Sequence, residues 1–331
     1  MTILLTGGAG FVGAAVAERL LERGERVIVL DNFNDYYPVQ LKRDRIARLA
    51  RFHDALSVHE LDFSDTATVK SALADAEFDR IVHLGAQAGV RYSLDNPMAY
   101  AASNLTGHLV ILELARRRGV RHMVYASSSS VYGDNAKVPF SVDDPVERPI
   151  SLYAATKRAD ELIGETYAHL YRTPLTGLRF FTVYGPWGRP DMMAWKCTDA
   201  LLEGRPIQVF NQGEMYRDFT HIDDIVTGVI AVLDHPPEDD GRMKRGGSLA
   251  PHAIYNIGNN RPEHLMRMIG LLEEACGRKA VIDLRPMQPG DVARTFADID
   301  AIRADLGYEP ATSIDVGMPA FVEWFRRYTG R

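Results

Sequence analysis

Tyr153 and Lys157 are the two side chains of this chain whose types and spacing most directly suggest chemistry. Positions i and i+4 share one face of a helix, so the phenol and the ammonium group can point into one pocket. A nearby cation lowers the pKa of a phenol, which is about 10 in free tyrosine, and a positively charged nicotinamide would add to that effect. The pair therefore predicts a base that removes a hydroxyl proton while a hydride leaves the same carbon.

The start of the chain predicts where the hydride acceptor would lie. An apolar run over residues 2–6 is typical of a strand, and a helix-forming segment ends near Arg23. Between them, Gly7, Gly10 and Gly13 permit a tight turn and let the backbone approach a pyrophosphate at the N-terminus of the helix. This order of strand, glycine turn and helix predicts a dinucleotide site.

A second strand, residues 25–31, ends on a carboxylate, Asp31, which lies 18 positions after Gly13. A carboxylate at this place can accept hydrogen bonds from the adenosine ribose and would repel a 2′-phosphate, which favours NAD over NADP. Arg43 and Arg45 lie close enough in sequence to keep NADP as an alternative.

Composition excludes several classes of protein. The net charge of −6 over 331 residues argues against general binding to nucleic acid or to an anionic membrane. Cys197 and Cys276 are the two cysteines, so no disulfide framework is implied and we expect a reducing, cytoplasmic location. The first strand begins almost at Met1, which leaves no room for a signal peptide, and no apolar run is long enough to span a bilayer. The histidines lack metal-ligand spacing, so we expect no metal site.

Strands alternate with helices through the first half of the chain. The predicted strands after the second are residues 57–61, 80–84, 122–126 and 176–181. We therefore expect an α/β protein with a Rossmann-type, doubly wound parallel sheet and a smaller, interleaved α/β substrate-binding lobe. Residues 1–185 would form the dinucleotide-binding domain, joined by a returning segment near 218–260, and residues 186–217 and 261–331 would form most of the lobe.

Several separated motifs together resemble those of the extended short-chain dehydrogenase/reductases, and within them the nucleotide-sugar epimerases. The resemblance covers essentially the whole chain. The segments that carry it, besides Tyr153 and Lys157, are TGGAGFVG at 6–13, HLGAQAGVR at 83–91, SSSSVYG at 127–133, LRFFTVYGPWGRPDM at 178–192 and RDFTHIDDI at 217–225.

Within that family, the segment Tyr36-Tyr37-Pro38 and residues 87–91 and 188–191 look most like those of UDP-glucuronate 4-epimerases. A hexuronate carries a carboxylate, and a pocket for it should provide arginine or several hydroxyl and amide donors. Arg189 and Arg91 are the candidates for this contact.

The serine run separates this chain from related enzymes. By resemblance, Ser128 hydrogen-bonds the sugar 4-hydroxyl beside Tyr153. Ser129 and Ser130 stand where related 4,6-dehydratases have Asp and Glu, and the Glu that is usual in UDP-glucuronate decarboxylases is also missing. The resemblance thus implies 4-epimerisation of UDP-glucuronate to UDP-galacturonate through a 4-keto sugar, with a tightly bound NAD that is regenerated in each turnover.

The remaining roles follow from the resemblance. The residues expected to bind the cofactor are Gly7, Gly10, Phe11, Val12, Gly13, Asp31, Asn32, Asp62, Phe63, Leu84, Ala86, Asn104, Ser127, Tyr153, Lys157 and Phe180. The residues expected to bind the substrate are Arg91, Ser128, Ser129, Thr182, Arg189, Arg217, Asp291 and Arg294. Asp62 would meet the adenine edge, Asn104 would line the cofactor, and Arg294 would be a further phosphate ligand.

Two alternatives stay open at this point. The chain could be a 4-epimerase of UDP-glucose or UDP-N-acetylglucosamine, or an NAD-binding regulator that has lost its chemistry. The resemblance also implies a homodimer formed through the helix after Tyr153, and a product used in polysaccharide biosynthesis.

Overall fold

The computed structural model describes residues 1–135, 137–288 and 290–331. The strands are β1 (Thr2–Thr6), β2 (Arg26–Asp31), β3 (Leu56–Glu60), β4 (Arg80–His83), β5 (His122–Ser128), β6 (Leu175–Phe180), β7 (Thr182–Tyr184), β8 (Ile207–Val209), β9 (Tyr216–His221), β10 (His252–Ile257), β11 (Pro262–His264) and β12 (Ile282–Leu284). The helices are α1 (Phe11–Glu22), α2 (Val39–Ala47), α3 (Thr66–Ala72), α4 (Tyr92–Asp95), α5 (Pro97–Tyr100), α6 (Gly107–Arg118), α7 (Leu152–Tyr171), α8 (Met193–Glu203), α9 (Ile222–Asp234), α10 (Leu265–Cys276), α11 (Asp300–Leu306) and α12 (Ile314–Thr329). Single turns of tighter helix cover Arg48–Phe52, Ser129–Tyr132 and Asn211–Gly213, and a π-helical turn covers Ala101–Thr106.

The main sheet has seven strands in the order β10-β6-β5-β4-β1-β2-β3. Every neighbouring pair is parallel. The chain winds outward from β1 in both directions, so a crevice opens at the carboxyl ends of β1 and β4, where the direction of winding reverses. The predicted doubly wound sheet is confirmed, and its crevice is the place where such folds bind ligands.

The central strands are apolar because helices cover both faces of the sheet. Ile3, Leu4 and Leu5 of β1 are fully buried. On one face α1 packs against α9, and on the other face α6 packs against α7. The late segment that supplies α9 and β10 thus packs onto the main sheet and extends it.

A smaller layer packs at the carboxyl edge of the main sheet. It contains a sheet of β11, β9 and β7 and a two-stranded pair of β12 and β8. Helices α8, α10 and α12 pack together beside these strands around a second apolar core.

Within the described ranges, no helix is both long and apolar enough to cross a membrane. The same residues include no cluster of three or more His, Cys, Asp or Glu side chains arranged to hold a metal ion.

Candidate active site

Two adjoining cavities lie at the carboxyl edge of the main sheet. The first is lined by most of the residues assigned to the cofactor, namely Gly7, Gly10, Phe11, Val12, Gly13, Asp31, Asn32, Phe63, Leu84, Ala86, Ser127, Tyr153, Lys157 and Phe180. The second is lined by most of those assigned to the substrate, namely Arg91, Ser128, Ser129, Thr182, Arg189, Arg217 and Asp291. Tyr153, Ser128 and Arg189 line both cavities, so the two meet at the predicted reaction centre.

The glycine turn of the first cavity needs glycine for reasons of space. Gly7 has a φ of +70°, and a Cβ atom there would lie 2.7 Å from the backbone of Gly85. A Cβ atom on Gly13 would lie 2.1 Å from the carbonyl oxygen of Gly7. Helix α1 therefore begins directly against β1, and Gly10 precedes it without a side-chain cap. Its first backbone N–H groups face the cavity, where they can bind a pyrophosphate.

Asp31 ends β2 and lines the first cavity. Its Oδ2 accepts a hydrogen bond from the Ala9 N–H at 3.0 Å, and its Oδ1 accepts one from the Phe33 N–H at 2.9 Å. Burial raises the pKa of Asp31, and these two N–H groups oppose that rise. The carboxylate is thereby fixed on the glycine turn with its remaining lone pairs available for a ribose.

The arginines that kept NADP open have other partners. Arg45 is fully buried and donates to the carbonyl oxygens of Ala9, Trp187 and Gly188. Arg43 pairs with Glu60 at 2.8 Å on the surface. Neither side chain lines the first cavity, so neither is placed to bind the 2′-phosphate of NADP.

Asn104 was expected to line the cofactor, but it is not among the residues that line the first cavity. The residue is 1% exposed and lies behind the wall. Its side chain accepts from the Gln87 N–H at 2.8 Å, donates to the Gln87 carbonyl at 3.1 Å and donates to Thr156 at 3.0 Å. An amide offers both an acceptor and donors, which suits it to hold the loop after β4 against α7. It thus shapes the wall, and Gln87 itself lines the cavity.

Two other expected contacts also lie outside the cavity walls. Asp62 is exposed and approaches the first cavity only through Asn32, at 3.4 Å. Arg294 is exposed and stacks over the ring of Tyr216 at 4.6 Å, so it is not placed as a phosphate ligand. The resemblance suggested Arg294, but its side chain lies on the ring of Tyr216 instead.

Tyr153 and Lys157 lie on the first two turns of α7, as the i,i+4 spacing predicted. The side chain of Ser151 caps the helix by accepting from the Ala154 N–H at 3.1 Å. Lys157 is 3% exposed, and its Nζ donates to the Ala126 carbonyl at 3.0 Å and to Asp160 at 3.1 Å. The half-buried phenol of Tyr153 and the buried ammonium group therefore line the same wall of the first cavity.

A buried ion pair holds α7 at this position. Glu161 accepts from the Nε and Nη2 atoms of Arg179 on β6 at 2.8 and 3.0 Å, and from Ser127 on β5 at 2.6 Å. Burial alone would raise the pKa of Glu161, but the Arg179 guanidinium outweighs it and the net pKa is lowered. The helix that carries the reacting side chains is thus tied to the two strands beneath it.

The serine run begins at the carboxyl end of β5 and turns into the second cavity. Ser128 Oγ accepts from the Ser130 N–H at 3.2 Å, which orients the hydroxyl. Ser128, Ser129 and Ser130 all line the second cavity. This wall therefore offers hydroxyl groups and no carboxylic acid.

The second cavity has a volume of about 980 Å³ and is rich in cations. The basic side chains that line it are Arg91, Lys196, Arg205, Arg189 and Arg217. A volume near the upper end of the usual range of about 300–1,000 Å³ for ligand sites suits a ligand with several parts. The surplus of cations suits a ligand with several negative charges.

Three of these arginines are held by carboxylates, and Arg205 pairs with Asp199 and Glu203. Arg189 donates to Asp191 through Nε and Nη2, both at 3.0 Å, and Asp191 also accepts from the hydroxyl of Tyr36 at 3.2 Å. Arg217 donates to Asp291 at 2.7 Å. These partners fix the planar guanidinium groups in the cavity wall and leave further N–H groups of each for a ligand.

Sequence reasoning missed several lining residues, among them Lys42, Gln87, Met192 and Lys196. Tyr36 was noticed only as a family mark, although it lines both cavities. Its position shortly after the carboxyl end of β2 was the available signal, because ligand sites of such sheets are built from the loops after the strands.

Comparison with known proteins decides the family. The family model described as "NAD dependent epimerase/dehydratase family" matches residues 3–258. The chain belongs to this family. Family membership makes NAD the cofactor, and the glycine turn, the open start of α1 and Asp31 fit that dinucleotide. Membership of this family makes the chain an enzyme.

This epimerase/dehydratase is 45% identical over 331 residues to the probable UDP-glucuronate 4-epimerase of Rhizobium meliloti (strain 1021), a match that covers 98% of this chain and 97% of that protein. Among solved structures, it is similar to the UDP-glucuronic acid 4-epimerase from Bacillus cereus in complex with UDP-glucuronic acid and NAD, with a TM-score of 0.87, 29% identity and coverage of 99% and 100%. It is also similar to the UDP-glucose 4-epimerase from Thermotoga maritima with UDP-glucose, with a TM-score of 0.85, 29% identity and the same coverage.

Proposed function

We propose that this chain is a UDP-glucuronate 4-epimerase that converts UDP-glucuronate to UDP-galacturonate. One observation carries the proposal: Tyr153, Ser128 and Arg189 line the junction of a dinucleotide cavity and a large cationic cavity. The likeness to the Rhizobium relative supports the choice of a uronate. The similarity to both solved epimerases supports 4-epimerisation but does not separate the two sugars, because the TM-scores are 0.87 and 0.85.

The reacting side chains divide the work at C4 of the sugar. Ser128 orients the 4-hydroxyl, and Tyr153 takes its proton and later returns it. Lys157 stabilises the phenolate by its positive charge. NAD, when bound in the first cavity, accepts the C4 hydride and returns it to the opposite face of the 4-keto sugar. The second cavity must therefore hold the nucleotide while leaving the sugar room to turn.

The serine wall favours epimerisation over the dehydratase chemistry of the same family. Loss of the C6 hydroxyl needs an acid and a base close to C5 and C6, and serine hydroxyls replace neither at neutral pH. Ser129 and Ser130 line the cavity and stand where, by resemblance, the dehydratases have Asp and Glu. The 4-keto sugar therefore meets hydrogen-bonding groups that hold it without removing a group from it.

A uronate can lose CO₂ once it is oxidised at C4, and the pocket must prevent this side reaction. Its 4-keto form is a β-keto acid, which loses CO₂ when the bond from C5 to C6 lines up with the carbonyl π system. Arg189, Thr182 and a serine hydroxyl can fix the carboxylate out of that alignment. Asp191 occupies Nε and Nη2 of Arg189, so we assign the contact with the substrate to Nη1.

The rest of the second cavity suits a nucleoside diphosphate. We assign a phosphate to Arg217 and the uridine ribose to Asp291, which pair with each other at 2.7 Å and can reorganise around the ligand. Arg91 lies over the ring of Phe210 at 4.8 Å and adds positive charge to this wall. Residues 186–217 and 261–331 would then form most of the UDP-sugar-binding lobe, and residues 1–185 with the segment 218–260 the NAD-binding domain.

Incubation with UDP-glucuronate and no added NAD tests the proposal. We expect the sugar proton NMR signals of UDP-galacturonate to grow until both epimers are present, because the bound NAD is regenerated in each cycle. Release of CO₂ at a rate similar to epimerisation would contradict the assigned role of the carboxylate contact. Turnover of UDP-glucose or UDP-N-acetylglucosamine, with none of the uronate even after NAD is supplied, would favour a neutral-sugar epimerase.

The assembly, location and pathway are further proposals. We propose a homodimer through α6 and α7, because Leu109, Leu162 and Leu170 are between 43% and 60% exposed on these packed helices. Such leucines on neighbouring helices are typical of a covered interface. We also propose a cytoplasmic enzyme whose product feeds polysaccharide biosynthesis. Light scattering of the purified protein tests the dimer, and Leu162→Glu should shift it toward the monomer.

A further inference from the structure

A second buried carboxylate lies beside the reacting lysine. Asp160 is 1% exposed and stands three residues after Lys157 on α7. Its Oδ2 accepts from Lys157 Nζ at 3.1 Å, and its Oδ1 has no hydrogen-bond partner among the described residues. A buried carboxylate with an unsatisfied oxygen costs stability, so the fold alone gives little reason for it.

We propose that Asp160 is a positioning residue that acts through Lys157 and sets the pH range in which Tyr153 works as a base. The inference rests on the proposed function, in which Tyr153 takes the proton of the 4-hydroxyl. A carboxylate 3.1 Å from the ammonium group forms a compact pair of opposite charges. Such a pair acts more weakly on a nearby phenol than the lysine charge alone would.

Most titratable groups around this pair keep one charge state across the range of an enzyme assay. The groups that face it from the packed elements are His83 of β4, His108 of α6, Tyr125 of β5 and, through Glu161 on α7, Arg179 of β6. Burial lowers the pKa of His83 to about 3 and that of His108 well below its ordinary value, so both rings are neutral. Burial raises the pKa of Tyr125 well above its ordinary value, so that phenol is also neutral.

The two neighbouring acids of α7 differ in their partners. Glu161 stays ionised because its pair with Arg179 outweighs the effect of burial. Burial raises the pKa of Asp160 to about 6, against the opposing effect of Lys157. Asp160 is therefore protonated at lower pH, where the lysine charge acts fully on Tyr153, and ionised at higher pH, where it offsets part of that charge.

The test is the pH dependence of kcat/KM for UDP-glucuronate in the wild type and in Asp160→Asn. The amide keeps an oxygen that can accept from Lys157 but removes the charge. We expect the acid limb of the profile to move to lower pH by about one unit, or roughly tenfold in rate on that limb, since a nearby charge in a buried site changes a pKa on this scale. The ratio of variant to wild type should return to one below about pH 6, where Asp160 is protonated in the wild type.

Glu165→Gln is the matched control, because it removes a negative charge from the same helix. Glu165 is partly exposed and pairs with His252 at 2.9 Å, away from the reacting face. We expect its acid limb to stay within about 0.2 pH units of the wild type. A uniform fall in kcat/KM for Asp160→Asn, with both limbs unmoved, would mean a merely structural role and would overturn the proposal.

Two further measurements decide the matter if the variant does not fold or if the substrate is another sugar. In the wild type, coupling of the two titrations should make the acid limb shallower than a slope of one. In the holoenzyme labelled with ¹³C-tyrosine, the signal absent from Tyr153→Phe should titrate at lower pH in Asp160→Asn, without any sugar present. Failure of UDP-glucuronate turnover would contradict the proposed function alone, whereas a slope of one or an unmoved tyrosine signal would contradict the role of Asp160.

Discussion

The two cavities of this protein are built in different ways. In the dinucleotide cavity, the part that suits a pyrophosphate is made from backbone: the glycine turn and the start of α1, followed by Asp31 at the end of β2, all lie within residues 7–31. The second cavity carries its charge on side chains, and three of the four arginines that line it are held by carboxylates. A backbone site fixes what any member of the fold can bind, whereas a side-chain site can change its ligand by a few substitutions.

The largest effect is expected at the junction of the two cavities. Tyr153→Phe removes the base and leaves the ring, so kcat should fall by about a thousandfold while NAD stays bound. Single-turnover measurements with UDP-glucuronate check this. Tyr171→Phe, on the exposed end of the same helix, is the control and should retain wild-type kcat. A near-normal kcat in Tyr153→Phe would contradict the assignment of the reaction centre to this junction.

A single added methyl group should disrupt the glycine turn of the first cavity. Gly13→Ala puts a Cβ atom 2.1 Å from the carbonyl of Gly7, so β1 and α1 must separate. We expect the purified protein to lose its NAD and its Tm to fall by more than about 5 °C, from roughly 2 kcal/mol or more of strain in a chain of this size. Gly270→Ala in α10 meets no atom within 4 Å and should stabilise by a few tenths of a kcal/mol or more. Retention of NAD in Gly13→Ala would contradict the geometry of the turn.

A substitution in the second cavity should instead reduce the selectivity for UDP-glucuronate over UDP-glucose. Arg189→Ala removes a charged contact worth about 2 kcal/mol, so KM for UDP-glucuronate should rise about 30-fold and the fraction released as CO₂ should increase. KM for UDP-glucose should change by less than about threefold, because a neutral sugar makes no such contact. Arg294→Ala is the control, since that side chain lies outside the cavity on Tyr216. Equal losses for both sugars would make Arg189 a structural residue.

The same contrast explains what could be predicted from the sequence. Gly7, Gly13 and Asp31 could be predicted because their chemistry depends on local order along the chain. Tyr153 and Lys157 could be predicted because one helix sets their spacing. Asn104 and Arg294 lie outside the walls of the two cavities, because a resemblance in sequence does not give the direction of a side chain. The partners of Arg189 and Lys157, which are Asp191 and Asp160, stand only two or three residues away. Their importance depends on burial, which no pattern in the sequence indicated.

The smallest effect is expected from the hydrogen bond by which Tyr36 supports Asp191, the partner of Arg189 in the second cavity. Tyr36→Phe removes the hydrogen bond to Asp191, worth about 1 kcal/mol, so KM for UDP-glucuronate should rise about fivefold while kcat changes little. Burial, with the nearby Asp191 carboxylate, raises the pKa of Tyr36 to about 12, so the phenol remains a neutral donor and the ratio of variant to wild type should be flat from about pH 6 to pH 9. A double-mutant cycle with Asp191→Asn should show that the two changes are not additive, because they remove one shared contact. Additive losses would mean that Tyr36 meets the ligand directly, and the aromatic loop after β2 would then belong to the substrate site in its own right.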